Sequence, residues 1–373
     1  MPSKIFDIHA PSPLLFRDGK PFGAAGGTET SARSLAVPLP STLAGFIRTQ
    51  IGVKSSWNWS DGDTLKNAHT ICVSGLLTRD QKIVLPAPRD AVIYKDKAQI
   101  LRMMCLKPLE LPNNAGTDAP ESINPLAITQ DVKAETGYAF WTKEDMTTWL
   151  LNDTPNAEKL EKIAGLPLET RVHVAINKDS KVGEEGQLFS VGYRSFESKS
   201  EAGHHRWSIR TRVKLPDKTA ISKLGHLGGE RRAVTLEEQD IGNWWDCPTE
   251  LKTAIRNSKY LKLVLATPAI FTHGWKPAWL EATDSANMPK GLHGLKLKLI
   301  SAAIGRREPV SGWNIRENSA KAVRYMVPAG SVYFFELLEG NQEKILENWL
   351  KPVSDNEQDR KDGFGLALWG VWK

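Results

Sequence analysis

Arg360-Lys361-Asp362-Gly363-Phe364-Gly365-Leu366-Ala367-Leu368-Trp369-Gly370-Val371-Trp372-Lys373 is the stretch on which the fold turns. A Gly-x-Gly turn usually draws notice where it opens a helix whose N-terminus holds phosphate. Here only a short apolar strand follows, so the glycines serve a loop that feeds a strand, with Arg360 and Lys361 just upstream. That argues against a dinucleotide enzyme. Two readings remain: a surface where backbone comes close to a polyanion, or an ordinary glycine turn beside a buried strand.

Working back from this tail, Leu261, Leu263 and Leu265 alternate through Leu261–Phe271, which reads as a strand. Trp275 to Ala282 reads as a short helix with Pro277 in its first turn. Leu295, Leu297 and Leu299 alternate with Lys296 and Lys298, a half-buried strand with cations on its open face. Val323–Leu337 contains the next strand. Asn341 is a helix N-cap candidate, Ile345, Leu346, Trp349 and Leu350 give one helical face, and Pro352 closes it. With Leu366–Trp372 the order is β-α-β-β-α-β, the ferredoxin-like split βαβ unit.

The N-terminal part starts alike. Lys4–His9 reads as a strand, and Ser41 as the cap of a helix whose apolar face is Leu43, Phe46, Ile47 and Ile51, with Gly52 as its stop. His69–Thr78 and Ala91–Leu106 are further strand candidates. Leu109–Asn124 reads as loop and Lys143–Leu151 as helix. Arg171–Ile176 and Gln187–Phe196 read as a strand pair around a Lys181–Gly186 turn. In His204–Leu215, Trp207, Ile209, Thr211 and Val213 alternate with Arg206, Ser208, Arg210 and Arg212, a strand with three arginines on one face.

The chain has 373 residues, a length that suggests about two domains. It is 40% hydrophobic and 25% charged, and no run approaches the roughly 18 apolar residues of a membrane span. The start lacks an apolar signal core, and Cys72, Cys105 and Cys247 stand apart. The expectation is a cytoplasmic protein with no membrane partner, no metal and no cofactor. The formal charge is +6, and it is concentrated. His204–Arg232 holds eight cations against two acids, Asp217 and Glu230, and Lys290–Arg307 adds five cations without an acid. Such clustering is the footprint of a nucleic-acid binder, or of a solvated face with its acids elsewhere.

No enzyme site assembles from the motifs. There is no Gly-x-Ser-x-Gly elbow, no His-Glu-x-x-His helix and no Gly-x-x-x-x-Gly-Lys-Ser/Thr loop. Gly228-Gly229-Glu230-Arg231 lacks the paired acids of a two-metal site. His9 and the His204-His205 pair are the histidines with any claim to acid–base work on RNA. Among 13 tryptophans, Trp57, Trp59, Trp207, Trp244, Trp245, Trp275 and Trp279 lie near loops or edges, where they would stack bases or pack a protein interface.

Ordered landmarks then point to a family. Phe16-Arg17-Asp18-Gly19-Lys20-Pro21-Phe22, Pro38-Leu39-Pro40-Ser41-Thr42-Leu43-Ala44-Gly45 and Leu85-Pro86-Ala87-Pro88-Arg89-Asp90 resemble loops of the RAMP proteins of CRISPR effector complexes. Arg171–Ile176 with Glu185–Phe189, Thr267-Pro268, Gly274-Trp275-Lys276-Pro277, Val327-Pro328-Ala329-Gly330-Ser331-Val332 and the Gly363-Phe364-Gly365 tail continue the series. Together they resemble the type III-B (Cmr module) subunit that caps the 5′ end of the guide RNA. Two departures stand out: Gly370-Val371-Trp372 ends in tryptophan where glycine is common, and Leu109–Gly165 has no counterpart.

The resemblance implies an α+β protein of two ferredoxin-like (βαββαβ) RAMP domains with insertions and a C-terminal glycine-rich loop, divided at 1–250 and 251–373. It implies a non-catalytic RNA-binding subunit that anchors the repeat-derived 5′ tag of crRNA and bridges the large polymerase-like subunit to the backbone RAMP subunits. The alternative is a metal-independent RAMP endoribonuclease acting on precursor crRNA. Candidate phosphate contacts are Arg17, Lys20, Arg48, Arg206, Arg210, Arg212, Arg231, Arg232, Arg306, Arg307, Arg360 and Lys361, with Gly228, Gly229, Gly363 and Gly365 allowing close backbone approach.

Overall fold

The arginine-bearing strand, Gly203–Lys214, is an inner strand and not an edge. It lies antiparallel to Ser3–His9 on one side and Cys72–Arg79 on the other, and Glu197–Ser200 folds back on its start. Ala233–Gln239 and Leu224–His226 extend the sheet beyond Ser3–His9. The alternation expected of the strand is present: Trp207, Ile209, Thr211 and Val213 are buried. The structure is a computed structural model that describes residues 2–18, 31–112, 114–118, 120, 123–201, 203–215, 219–281, 288–314 and 317–373.

Helix Pro40–Lys54 covers this sheet and packs on Cys72–Arg79, where Gly75 leaves room for Leu43; a Cβ at Gly75 would sit 2.6 Å from the Leu43 side chain. The helix starts two residues earlier than its sequence suggests. Pro40 with its preset φ occupies the first turn, Leu39 is the cap residue, and Ser41 makes no capping bond. Nor does Gly52 stop it. The helix runs on to Lys54, and the bare Cα of Gly52 admits the Trp59 ring. A second helix, Gly62–Thr70, capped by the Asp61 carboxylate on the Thr64 amide, takes His69 and Thr70, so the following strand begins at Cys72.

The chain forms two compact units, and neither is contiguous. One comprises Met1–Gln81, Gly165–Asp240 and Pro309–Arg324; the other Lys82–Ala164, Ile241–Glu308 and Tyr325–Lys373. A single division near residue 250 therefore does not describe them, because 82–164 groups with the C-terminal sheet.

That sheet has the order Lys296–Ala303, Val332–Glu339, Tyr260–Leu265, Ala367–Val371, antiparallel throughout. All four strands are legible in the sequence as strands, but the connections differ. Of the expected Trp275–Ala282 helix, whose Ala282 lies outside the described residues, a 3-10 turn forms at Ala278–Leu280, and Val323–Leu337 divides into Arg324–Met326 and Val332–Glu339 around the Gly330 turn. Asn341 accepts the Glu343 amide at 2.9 Å just ahead of the short helix Glu343–Glu347. Another short helix, Glu357–Asp362, precedes the tail.

The central strand Tyr260–Leu265 is buried on both faces, from Leu261 to Leu265. Segment 82–164 supplies the second cover. Within it, Ala91–Lys95 and Leu101–Cys105 form a hairpin where the sequence suggests one long strand, and helix Lys143–Leu150 brings Trp149 against Trp141. Gly370 lies under that helix end, where a Cβ would come 2.3 Å from the Leu150 carbonyl oxygen, which explains a glycine inside the last strand.

Candidate nucleic-acid interface

The arginines of the first unit do not act as one face. Arg210 forks onto Asp7, Nε to Oδ1 at 2.8 Å and Nη2 to Oδ2 at 2.7 Å, and Asp7 is 2% exposed. The Asp7 hydrogen bonds hold that guanidinium above its usual pKa. Its charge is already matched. Arg48 is buried inside helix Pro40–Lys54 and donates to the Ile71 carbonyl at 2.8 Å, tying the helix to the strand entry; it is a strut, not a surface cation. Arg212 is half-buried, while Arg206, Arg17 and Arg231 are exposed. Lys20 lies outside the described residues.

The histidines take separate paths. His9 meets Glu237 at 3.2 Å. His204 is exposed. His205 is buried between the Ser200 hydroxyl (2.8 Å) and the Asp80 carboxylate (2.7 Å), and Asp80 also accepts the Arg206 amide at 2.9 Å. This Ser-His-Asp chain pins the Glu197–Ser200/Gly203–Lys214 hairpin to the turn at Asp80. Burial pushes the Asp80 carboxyl up, but the bonds from His205 and Arg206 outweigh it and leave the pKa below its usual value.

Gly228 and Gly229 do permit close approach, but to the chain itself. Gly228 has φ +76°, and a Cβ there would stand 2.4 Å from the Leu15 carbonyl oxygen; the Gly229 amide donates to that oxygen at 2.8 Å. Beyond them Glu230 and Arg231 both adopt positive φ. This turn delivers Glu230 to a group that the sequence does not disclose. The Tyr193 hydroxyl donates to Glu230 at 2.9 Å, and Arg232 pairs with Glu230 at 3.0 Å. Arg232 and Arg171 lie 4.5 Å and 5.1 Å from the centre of the Tyr193 ring, and His173 stacks on Phe189.

Arg171, His173 and Tyr193 come from the pair Leu168–Ile176 and Gly183–Arg194, both strands as their alternation suggests. The facing of the pair is the reverse of the usual one. The polar and aromatic side packs inward, and Leu168, Val172, Val174, Ile176 and Leu188 are exposed. Period two marks two faces without saying which meets the core.

In the second unit Arg306 and Arg307 are exposed, and the Arg307 guanidinium lies 4.2 Å from the centre of the Tyr325 ring. Arg360 instead turns inward onto the Ser354 carbonyl at 2.7 Å and the Asp355 carbonyl, and burial pushes its pKa down. Lys361 pairs with Glu357 at 3.1 Å. Gly363, at φ +93°, ends helix Glu357–Asp362, and Gly365, at φ +81°, packs against Ser354. Gly363 through Trp372 are all buried. The tail glycines thus serve a buried strand and do not offer backbone to a polyanion. Of the tryptophans singled out, Trp207, Trp245 and Trp279 are core, Trp57 and Trp59 pack edge to face on each other, and Trp275 lies half-exposed at a cavity.

The model of the family "CRISPR-associated protein (Cas_Cmr3)" matches residues 6–372. The chain belongs to the Cas_Cmr3 family. It is thus a Cmr-module subunit of the type III-B CRISPR system. The Cas_Cmr3 chain is similar in fold to a chain in the type III-B Cmr-beta complex bound to cognate target RNA and AMPPnP. That match has a TM-score of 0.50 at 16% identity, covering 89% of this chain and 86% of the other. A chain in the same complex bound to cognate target RNA matches with a TM-score of 0.50 at 15% identity, over 97% and 95% of the two chains. No curated protein matches the Cas_Cmr3 chain. Among the described residues no group of three or more His, Cys, Asp and Glu side chains could hold a metal, and no helix is long and apolar enough to cross a membrane.

Proposed function

We propose that the chain is a non-catalytic RNA-binding subunit that anchors the repeat-derived 5′ tag of crRNA and joins the large polymerase-like subunit to the backbone RAMP subunits. The family match over residues 6–372 carries this reading. Two ferredoxin-like domains are part of it. In support, the four-stranded sheet of the second unit sets Tyr260–Leu265 and Val332–Glu339, the first and third of its four strands in chain order, side by side at its centre. Exposed cations suit the phosphate contacts best: Arg17, Arg206 and Arg231 in the first unit, Arg306 and Arg307 in the second. Phosphate contacts fix position, and tag sequence would be read from splayed bases.

The test is purification of the tagged protein from its native host at low salt, with identification of bound proteins and small RNAs. RNAs sharing one repeat-derived 5′ end, together with other RAMP subunits, are expected. Protein free of RNA and partners would refute the anchoring role. Incubation with repeat RNA in chelator should give no discrete cleavage; cleavage lost in His9→Ala or His204→Ala would establish the endoribonuclease instead.

A further inference from the structure

A cavity of about 540 Å³ opens in the second unit at the end of the Lys296–Ala303 strand. Ala302, Ile304 and Met326 give it an apolar lining, Trp275 adds a half-exposed indole, and Tyr325 is 48% exposed. Arg307, lying over the Tyr325 ring at 4.2 Å, is the one charged side chain of the lining among the described residues. The cleft is thus aromatic and apolar within, with the exposed Arg307 guanidinium at its edge.

We propose that this cleft binds a base of unpaired RNA, with the attached phosphate at Arg307. The inference rests on the RNA-binding reading and goes further, by naming a base-binding site. Aromatic faces with arginine alongside hold unpaired bases by stacking, and a cleft of this volume lies within the range of small-ligand sites, about 300–1,000 Å³. Charge decides between occupants. A buried apolar side chain from a partner protein would leave the Arg307 guanidinium without an anion, whereas a nucleotide supplies both a planar ring and an anion.

The full-length protein would be titrated with AMP, ribose 5-phosphate and N-acetyltryptophanamide and followed by saturation-transfer NMR. AMP should bind about ten-fold or more tightly than ribose 5-phosphate, because only AMP presents a ring to stack. Tyr325→Ala and Arg307→Ala should each weaken AMP about five-fold or more, and Tyr325→Phe should retain binding. Both side chains are largely outside the core, and melting curves would verify that the variants fold. Equal binding of AMP and ribose 5-phosphate, or no effect of Tyr325→Ala, overturns the proposal. So does binding of N-acetyltryptophanamide without AMP, which assigns the cleft to an apolar protein side chain. RNA still co-purifying with the native protein would show that only the base site, and not the RNA-binding reading, had failed.

Discussion

Lys262 carries its ammonium to a point where its side chain is 1% exposed, 3.0 Å from the Trp149 carbonyl oxygen and 3.4 Å from Asp90 Oδ2. Asp90 in turn accepts the Trp149 indole N–H at 2.8 Å and is 0% exposed. A charge in that position is tolerable only while its partner remains, so removing one member costs more than removing both. Lys262→Ala should lower unfolding stability by about 3–5 kcal/mol, and the double change Lys262→Met with Asp90→Asn by less. Urea denaturation checks this; equal midpoints for Lys262→Ala and the parent would deny the pair a stabilising role. In the sequence Lys262 is simply one lysine inside an apolar strand. Its partner lies 172 positions away, and no local pattern announces it.

At the scale of elements, the hairpin Glu197–Ser200/Gly203–Lys214 depends on Asp80. Its carboxyl has a folded pKa below the ordinary 3.8, so its contribution is complete above that value and is lost as pH falls through the lower folded one. Amide exchange in the hairpin should accelerate as pH falls below about 4, after correction for intrinsic rates, and Asp80→Asn should abolish that extra dependence. An unchanged profile in Asp80→Asn would detach the hairpin from this group.

Strands are the legible elements, because alternation survives in Lys296–Ala303 and Gly203–Lys214 whatever they pair with. Short helices are less so, although Lys143–Leu150 and Glu343–Glu347 lie where the sequence reads helix. Glu357–Asp362 has six residues, too few for a 3.6 period to show, and the Trp275–Ala282 pattern matches a helix that tertiary packing cuts to one turn. The candidate site is legible only as charge. Arg210 and Arg206 look alike in the sequence, and the difference between them is Asp7, 203 residues from Arg210.

For the whole molecule, the separation of matched from exposed cations predicts how RNA binding responds to salt. Removing one phosphate-binding cation should reduce the slope of log affinity against log salt by about 0.7 for a single strand. Arg206→Ala and Arg231→Ala should each do so while leaving stability nearly unchanged, since both are exposed. Arg210→Ala should leave the slope intact and lower stability instead, by uncovering the buried Asp7. Filter binding over a salt series decides; a flattened slope for Arg210→Ala alone would reverse the assignment.

The interleaving of the two units also governs how the chain is made. The first unit takes its last piece from Pro309–Arg324, so a ribosome that has finished Gln81 must add 243 more residues before that unit owns all its parts. At about 5–20 residues per second, that is roughly 12 to 50 s. Until Gln239 has been added the sheet of the first unit lacks its last strand, and no cut at a single peptide bond would release either unit whole.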